Sequence, residues 1–503
     1  MNQIKIGAAL SYFNILLTTV IGLVLTPFMI RTLGDSEYGL YTLVGSLVVY
    51  LTVMDLGLNN TVVRFVSKYR AEQDIAGERK FLGTTLLIYA AISTVLLFLG
   101  MVIYFNLDNI FSRSLTQTQL SDAKLMFLIL VFNLAIKLPG GTFEAICNAY
   151  EFFVFPRLLR IIKYLLRAIV IVVVLTMGGK AISLVVIDTV FNVVSIVATI
   201  LFVVTKMTVK FDFNEIRMSL IKKIFGYSVW IFLLGLSSHF LWSAGQILLG
   251  VETNTTTVAV YAVGIMLGGY YGAFSTAVTS LFLPRASRMT IHNSKEEILE
   301  MMIKVGRLTF MILMFVLTGF LLVGKEFVFL WVGTSYEKSW VIALFVMAVL
   351  TIPLVQNFSN SLIEAYNKVH HKVKIFLVCF SFGISLGYYL IPSLQEVGMA
   401  VGISSGWILA QICMNIYYHK HLNLNMIVFF NKMLTKTFFP IAFIYLFSSI
   451  LQNFLPMSAT FFVIKICTYS LIYWSVIYLF SMNDYEKQLV RIKFKPTRSN
   501  RIG

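Results

Sequence analysis

Charged side chains are scarce in this sequence. They make up 13% of its 503 residues, where soluble globular proteins average about 25%. Hydrophobic residues make up 58%, more than the roughly 45–50% that is typical of a soluble chain. The shortage of charge excludes an ordinary soluble globular protein and indicates that lipid surrounds much of the chain.

Cysteines and cofactor motifs are equally sparse. The four cysteines, Cys147, Cys379, Cys413 and Cys467, lie in or beside apolar runs and form no CxxC pair, so nothing supports a disulfide framework or a zinc site. The sequence also contains no HExxH, DxD or P-loop signature. We therefore predict no metal and no cofactor.

Long apolar runs are what the sequence has in abundance. A helix needs about 20 apolar residues to cross the hydrocarbon of a bilayer. The fourteen predicted spans are 8–30, 39–59, 81–105, 124–148, 158–177, 182–205, 224–249, 258–282, 305–324, 341–366, 375–392, 398–417, 436–455 and 460–481. The first run is too long for a signal peptide and no small-residue cleavage site follows it, so we expect a permanent helix. The predicted fold class is an all-α integral membrane protein with about 14 transmembrane helices.

The basic residues alternate with the spans. With the N-terminus inside, 32 of the 40 Lys and Arg residues lie in cytoplasmic segments, six lie outside, and Lys137 and Lys465 lie within spans. This count assigns residues 157–167 and Arg307 to the cytoplasmic side. Such an asymmetry predicts that both termini are cytoplasmic. The net charge of +17 then faces anionic lipid, and no nucleic-acid partner is expected.

Weak internal similarity at a common offset indicates a duplication. The matching pairs, 214 to 221 residues apart, are Gly34 with Gly250, Tyr41 with Tyr261, Arg64 with Arg285, and Pro139 with Pro353. We predict two parallel six-helix halves, 1–210 and 211–430, followed by a C-terminal helix pair and a basic tail, 431–503. Transporters built from such repeats bind their substrate between the halves.

Polar side chains recur on one face of the fourth span. Asn133, Lys137, Glu144 and Asn148 are spaced by four, seven and four residues, which places them on the same side of a helix. Pro139 is expected to break this helix near its middle. The equivalent span of the second half carries Asn357, Asn360 and Glu364. Because polar groups inside a membrane are costly, these stripes predict a hydrated cavity.

Several of these residues leave two interpretations open. A neighbouring carboxylate would make Lys137 purely structural. Glu144 and Glu364 lie near the cytoplasmic ends and either line the cavity or face water. Asp188, like Glu144, is a candidate for ion coupling, although a structural hydrogen bond explains it equally well. Lys465 is expected to extend its amine to the membrane surface.

One apparent hydrolase motif is better explained by helix packing. Residues 402–406 match GxSxG, but that motif requires a turn between a strand and a helix, whereas here it lies in an apolar span. Gly398, Gly402 and Gly406 form a ridge at intervals of four, and residues 264, 268 and 272 form a second glycine ridge. Both ridges predict close helix packing.

Short motifs in both halves resemble those of a known family. In the first half they are Arg31-Thr-Leu-Gly34, Tyr38-Gly-Leu-Tyr41, Asp55-Leu-Gly57-Leu and Arg64; in the second they are Leu249-Gly250, Val260-Tyr261-Ala262, Phe282-Leu-Pro284, Leu330-Trp331-Val-Gly333 and Tyr336. The chain resembles, over nearly its whole length, the bacterial polysaccharide exporters of the O-antigen flippase type, within the multidrug/oligosaccharidyl-lipid/polysaccharide exporter superfamily. It departs from them at Gln246, where many members carry an acidic residue.

The resemblance implies that the chain moves undecaprenyl-diphosphate-linked oligosaccharide across the bacterial cytoplasmic (inner) membrane for O-antigen, lipopolysaccharide or capsule synthesis. Lys137 would then meet the diphosphate, and the asparagines of spans 4 and 10 would meet sugar hydroxyls. Arg31, Arg64 and Arg285 are further candidate cations. The implied partners are the lipid-linked oligosaccharide, membrane lipids, and the polysaccharide polymerase with its chain-length machinery.

Two other functions compete with this one. A cation-coupled multidrug exporter of the same superfamily would favour twelve spans and an acidic cavity, which the extra helix pair and Lys137 oppose. A membrane polymerase or glycosyltransferase would need room for an external catalytic domain, but the longest external segments, 106–123 and 325–340, have fewer than twenty residues. We therefore expect a transporter and not an enzyme.

Overall fold

The computed structural model describes residues 3–213, 233, 235–237, 239, 242–279, 294–366, 368–452, 456 and 458–492. Within these ranges all regular structure is helical, which confirms the predicted all-α class. The helices are α1 (Gln3–Leu33), α2 (Asp35–Thr52), α3 (Leu58–Ala71), α4 (Ile75–Phe111), α5 (Gln117–Ala149), α6 (Val154–Thr176), α7 (Ala181–Thr205), α8 (helical over 242–252), α9 (Thr255–Thr279), α10 (Lys295–Val332), α11 (Glu337–Val355), α12 (Asn357–Ala365), α13 (Val369–His421), α14 (Met426–Leu434), α15 (Phe438–Gln452), α16 (Ala459–Val476) and α17 (Asp484–Ile492).

The described helices account for the predicted spans. Ten helical stretches are long and apolar enough to cross a membrane, or eleven if the bent pair α14 and α15 is one span. One of the ten, α13, contains two predicted spans that meet at Gln395, where φ is 48°. Helix α6 is not among the ten, but it coincides with a predicted span, and the predicted span 224–249 falls largely outside the described residues. The fourteen-span count is consistent with this set.

Both glycine ridges lie at close helix contacts, as predicted. A Cβ atom on Gly402 would overlap the backbone of Gly387. The two segments of α13, before and after Gln395, therefore pack against each other here without an intervening side chain. On α9, a Cβ on Gly264 would lie 2.6 Å from Cγ2 of Ile342. Ser404 belongs to this packed helix and not to a turn between a strand and a helix, which the hydrolase motif requires.

The chain divides into two compact units. The first unit comprises Met1–Val263 and Phe376–Ile403, and the second comprises Gly264–Ile375 and Ser404–Gly503. The sequence-based division at residues 210 and 430 stays a prediction.

In the first unit, the second predicted span is a broken helix. Helix α2 ends in a 3₁₀ turn at Val53–Asp55, and Leu56 and Gly57 then adopt left-handed backbone conformations before α3 begins. Glycine favours that conformation because it has no Cβ. A break was also expected in the fourth span, at Pro139, but α5 is one continuous helix through Pro139. That expectation was wrong, because a membrane helix tolerates proline where its surroundings satisfy the freed backbone groups.

In the second unit, α10 and α16 are joined by a buried ion pair. Lys465 Nζ donates to Glu326 Oε2 at 2.7 Å, and each side chain is 6% exposed. The prediction that Lys465 reaches the membrane surface was therefore wrong. Its partner is 139 residues away in sequence, so no local pattern could have indicated the pair.

The Lys465–Glu326 pair gives a prediction about stability. Lys465→Ala should lower the free energy of unfolding by about 3–5 kcal/mol, because it leaves Glu326 charged and buried without a partner. The double variant Lys465→Met, Glu326→Leu should recover most of this loss, because it removes both charges together. Thermal unfolding of the purified protein in detergent measures both effects.

The adjacent surface pair supplies a matched control. Lys325 pairs with Glu337, and both side chains are more than half exposed, so Lys325→Ala should cost less than about 1 kcal/mol. Equal melting temperatures for Lys325→Ala and Lys465→Ala would contradict the assignment of a structural role to the buried pair.

Candidate functional site

A polar cavity of about 460 Å³ lies within the first unit. Side chains of α3, α5, α6 and α7 line it, together with Thr52 of α2 and Asp55 from the break between α2 and α3. The charged and amide residues in its wall are Asp55, Asn59, Asn60, Lys137, Glu144, Asn148, Lys163 and Asn192. Water-filled or protein-lined cavities are where membrane proteins tolerate such groups.

The predicted polar stripe of α5 faces this cavity. Lys137, Glu144 and Asn148 all line it. Asn133, one turn before Lys137, is buried behind the wall and accepts a hydrogen bond from Asn192 Nδ2 at 3.0 Å. The helical spacing thus identified residues that share one cavity, although their role in binding stays a prediction.

Lys137 is an exposed cation in this wall. Among the described residues it has no ion pair and no hydrogen bond, and its electrostatic partner is Asp55, beyond ion-pair distance. An ammonium group without a bound anion is costly in the middle of a membrane helix. The amine is therefore available for an anionic ligand.

Helix α6 brings a row of basic residues into the bundle. Arg157, Arg160, Lys163 and Arg167 recur at intervals of three, three and four, so they follow one helical face. We had counted these four residues as cytoplasmic, but they occupy successive turns of a helix that packs against α1 and α7. The interval within an apolar run was the signal that could have revealed the row.

Each residue of the α6 row has a polar partner on a neighbouring helix. Arg157 Nε donates to Ser11 Oγ at 2.6 Å, and Arg160 pairs with Glu144. Lys163 Nζ donates to Asn192 Oδ1 at 2.7 Å, and Asn133 holds the amide of Asn192 in turn. Lys163 is thus a second cavity cation whose direct hydrogen-bond partner is neutral.

Asp188 pairs with the last residue of the row. Arg167 donates through Nε to Asp188 Oδ1 and through Nη2 to Asp188 Oδ2, the latter at 3.0 Å. Tyr41 OH also donates to Oδ2, at 3.4 Å. The structural hydrogen bonding that we considered for Asp188 is therefore present, and its part in ion coupling stays a prediction.

Asp55 and Asn59 are cavity residues that the site prediction missed. Asp55 Oδ1 accepts hydrogen bonds from Tyr89 OH at 2.9 Å and from Asn59 Nδ2 at 3.0 Å. The Asp-Leu-Gly motif was noted for its resemblance alone. In the structure, Leu56 and Gly57 adopt left-handed conformations and end the helix at this motif. The helix end places the Asp55 carboxylate in the cavity wall.

The remaining predicted site residues lie elsewhere. Arg31, in the last turn of α1, and the exposed Arg64 on α3 are not in the cavity wall. Arg285 lies outside the described residues. In the second unit, Asn360 Nδ2 donates to Asn357 Oδ1 at 2.7 Å, and Lys372 Nζ donates to Asn360 Oδ1 at 2.8 Å. Glu364 belongs to the same helix, α12.

The cavity chemistry suits an anionic, hydroxyl-rich ligand. Ammonium groups donate charge-assisted hydrogen bonds to phosphate oxygens, and amides both donate to and accept from hydroxyl groups. Among the described residues no group of three or more His, Cys, Asp or Glu side chains could hold a metal ion.

Solved structures share the fold. The lipid II flippase MurJ in an inward closed conformation is 14% identical, with a TM-score of 0.73 over 97% of this chain and 100% of the other. A multidrug resistance MATE family transporter of the MOP superfamily, in an inward-facing conformation, is 13% identical, with a TM-score of 0.63 over 81% and 94%. The Vibrio cholerae MATE transporter VcmN is 14% identical, with a TM-score of 0.54 over 83% and 98%.

The sequence itself matches a family. No curated protein matches the chain, but the family model described as polysaccharide biosynthesis protein matches residues 7–290, more than half of its length. This match includes all helices that line the cavity, and it confirms the resemblance drawn from the sequence motifs. The chain belongs to the polysaccharide biosynthesis protein family.

Proposed function

We propose that the chain moves undecaprenyl-diphosphate-linked oligosaccharide repeat units from the inner to the outer leaflet of a bacterial cytoplasmic membrane, for O-antigen or capsule synthesis. The observation that carries the proposal is Lys137, a cavity cation within a membrane helix that forms no ion pair with any residue the structure describes. A diphosphate with attached sugars cannot cross hydrocarbon unaided. A cavity with two lysines and several asparagines offers it the interactions that water otherwise provides.

The family and the fold support transport and not catalysis. The family is named for polysaccharide biosynthesis, and the fold is shared with a lipid II flippase and with MATE transporters. On this proposal both termini are cytoplasmic, and the polysaccharide polymerase acts on the units that the chain delivers. The parts of Arg31, Arg64, Arg285, Asn357, Asn360 and Glu364 in the substrate path stay predictions.

Alternating access is supported by a tight contact at one end of the first unit. Ser36 Oγ at the start of α2 and Thr255 Oγ1 at the start of α9 are 3.0 Å apart, and Gln119 Nε2 donates to Ser36 Oγ at 2.8 Å. A Cβ on Gly39 would overlap the carbonyl oxygen of Thr255. In the predicted orientation this is the outer end, so the contact would close the cavity to the outside while substrate enters from the cytoplasm.

Deleting the gene in its host tests the proposal. We expect surface polysaccharide to disappear and lipid-linked repeat units to accumulate on the cytoplasmic side, because their headgroups have no other route across the membrane. Plasmid-borne wild type should restore export. Extraction of the lipid-linked intermediates, with surface labelling of the polysaccharide, measures both.

The multidrug alternative predicts a different outcome from the same strain. The shared MATE fold supports that alternative, whereas the lysines of the cavity oppose binding of a cationic drug. Normal surface polysaccharide together with increased drug sensitivity in the deletion strain would overturn the flippase proposal.

A further inference from the structure

The two carboxylates in the cavity wall differ in their surroundings. Glu144 forms an ion pair with Arg160 of α6. Asp55 forms none with the part of the chain that the structure describes, and its side-chain hydrogen bonds come from the neutral Tyr89 and Asn59. Asp55 is therefore a carboxylate whose charge no direct ion pair balances.

Lys137 is a cation of the same cavity wall that acts on Asp55. The two groups interact electrostatically, yet their charged atoms are too far apart for an ion pair. Each thus lacks a direct partner of opposite charge while both line one cavity. Among the described residues of the wall, Asp55 is a counter-charge that acts on Lys137 and is not paired with an arginine.

We propose that Asp55 balances Lys137 in the empty cavity and takes up a proton when a diphosphate group binds. This inference rests on the proposed function. A diphosphate held at Lys137 places two further negative charges in a region of low dielectric, where like charges repel strongly. Protonating Asp55 removes that repulsion. One proton passes from water to the Asp55 carboxylate on binding and returns to water when the ligand leaves.

Several other titratable groups face this site. They are Tyr89 on α4, Lys137 and Glu144 on α5, Lys163 on α6, and His239, whose Nε2 lies 3.5 Å from Oγ1 of the cavity residue Thr52. Free histidine changes charge at about pH 6.5, and burial favours the neutral form of a lysine, so a pH slope belongs to Asp55 only if Asp55→Asn removes it. Glu144 forms an ion pair with Arg160, so its surroundings differ from those of Asp55, and Glu144→Gln is the matched control.

Binding measured against pH tests the inference. The probe is a short-chain prenyl-diphospho-N-acetylglucosamine, whose two phosphate charges do not titrate between pH 5 and 8, with the purified full-length chain in detergent. For wild type we expect the dissociation constant to rise by up to about tenfold per pH unit on the alkaline side of the titration. Asp55→Asn should bind tightly with no such slope, because its side chain is permanently neutral.

Two comparisons keep the test sharp. Glu144→Gln should keep the wild-type pH slope, and so should Asp55→Glu, which restores a carboxyl at the same place. Independently of any variant, a pH indicator in weakly buffered solution should show net proton uptake, of up to one proton per probe bound, by wild type.

Three results would overturn the inference. The first is an Asp55→Asn protein that keeps the wild-type slope, and the second is a wild-type protein that shows neither a slope nor proton uptake while it binds the probe. Both leave the proposed function intact, because the probe still binds. The third is the absence of binding by wild type at every pH, which would overturn the proposed function and this inference with it.

Discussion

We expect Lys137→Ala to lower the rate of oligosaccharide export roughly 10- to 100-fold, because a hydrogen bond to a charged group contributes about 1.5–3 kcal/mol. The residue lies thirteen positions after the predicted start of its span at Lys124, about 20 Å along the helix, and hence well inside a hydrocarbon core roughly 30 Å thick. Folding should change little, because among the described residues Lys137 has no ion pair or hydrogen bond to lose and acts on Asp55 only at longer range.

The variant Lys137→Arg tests whether export depends on the positive charge alone or also on the size and donor geometry of the lysine. Lys137→Arg should keep part of the export, since it retains the cation but changes its size and its donor geometry. Export is measured as surface polysaccharide formed per amount of membrane-inserted protein.

A lysine on the same helix provides the control. Lys124 pairs with Asp108 and is not part of the cavity wall, so Lys124→Ala should export at close to the wild-type rate. If Lys137→Ala also exports at that rate, Lys137 is structural, and the cation that meets the diphosphate must be sought at Lys163 or at the predicted Arg31, Arg64 and Arg285.

The sequence predicted the membrane-spanning helices well, because the hydrocarbon of a bilayer requires long apolar runs. Hydrocarbon demands about 20 apolar residues per helix, so the apolar runs predicted where the described spans lie, although several helices, such as α10, extend beyond the predicted ends. The same logic predicted that Lys137, Glu144 and Asn148 share a wall, because helical spacing fixes which side chains lie on one face.

Basic residues in this chain have more than one structural role. The positive-inside rule explains basic residues in loops, and we applied it to residues 157–167 and to Arg307. The structure places the first group along α6, paired with neighbouring helices, and buries Arg307. Such pairs join positions that are distant in sequence, so charge counting cannot reveal them.

Asp55 shows a third kind of limit. Its motif was visible, but its position in a cavity wall depends on a helix break at Leu56 and Gly57, within an otherwise apolar span. Proline at 139 was the more obvious signal for a break and proved to lie within a continuous helix. The type of residue alone therefore does not predict where a membrane helix breaks, because the surrounding contacts decide whether the freed backbone groups are satisfied.

Arg307 gives the second large expected effect. Its side chain is 8% exposed, and it makes five hydrogen bonds, the number of N–H donors that a guanidinium has. Two go to the Glu486 carboxylate on α17, at 2.8 and 3.2 Å, and the others go to the carbonyl oxygens of Ser481, Lys432 and Thr435. Arg307 thus joins α10 to the end of α14, to the turn after α16 and to the C-terminal helix.

Removing this arginine should destabilise the second unit strongly. Arg307→Ala leaves Glu486, which is 1% exposed, buried without its cation, and we expect a loss of about 3–5 kcal/mol in the free energy of unfolding. Arg307→Lys should recover little, because an ammonium group has three donors and cannot bind a carboxylate through two parallel hydrogen bonds.

Two further variants identify the cause of that loss. Lys304→Ala removes an exposed i,i+4 pair with Glu300 on the same helix and should cost less than about 1 kcal/mol. Truncation after Met482 removes Glu486 together with α17 and leaves Arg307 buried without its carboxylate, so it should lower the melting temperature about as much as Arg307→Ala does. A truncated protein as stable as wild type would show that the carbonyl oxygens alone are enough for Arg307, and that α17 is not fixed through this residue.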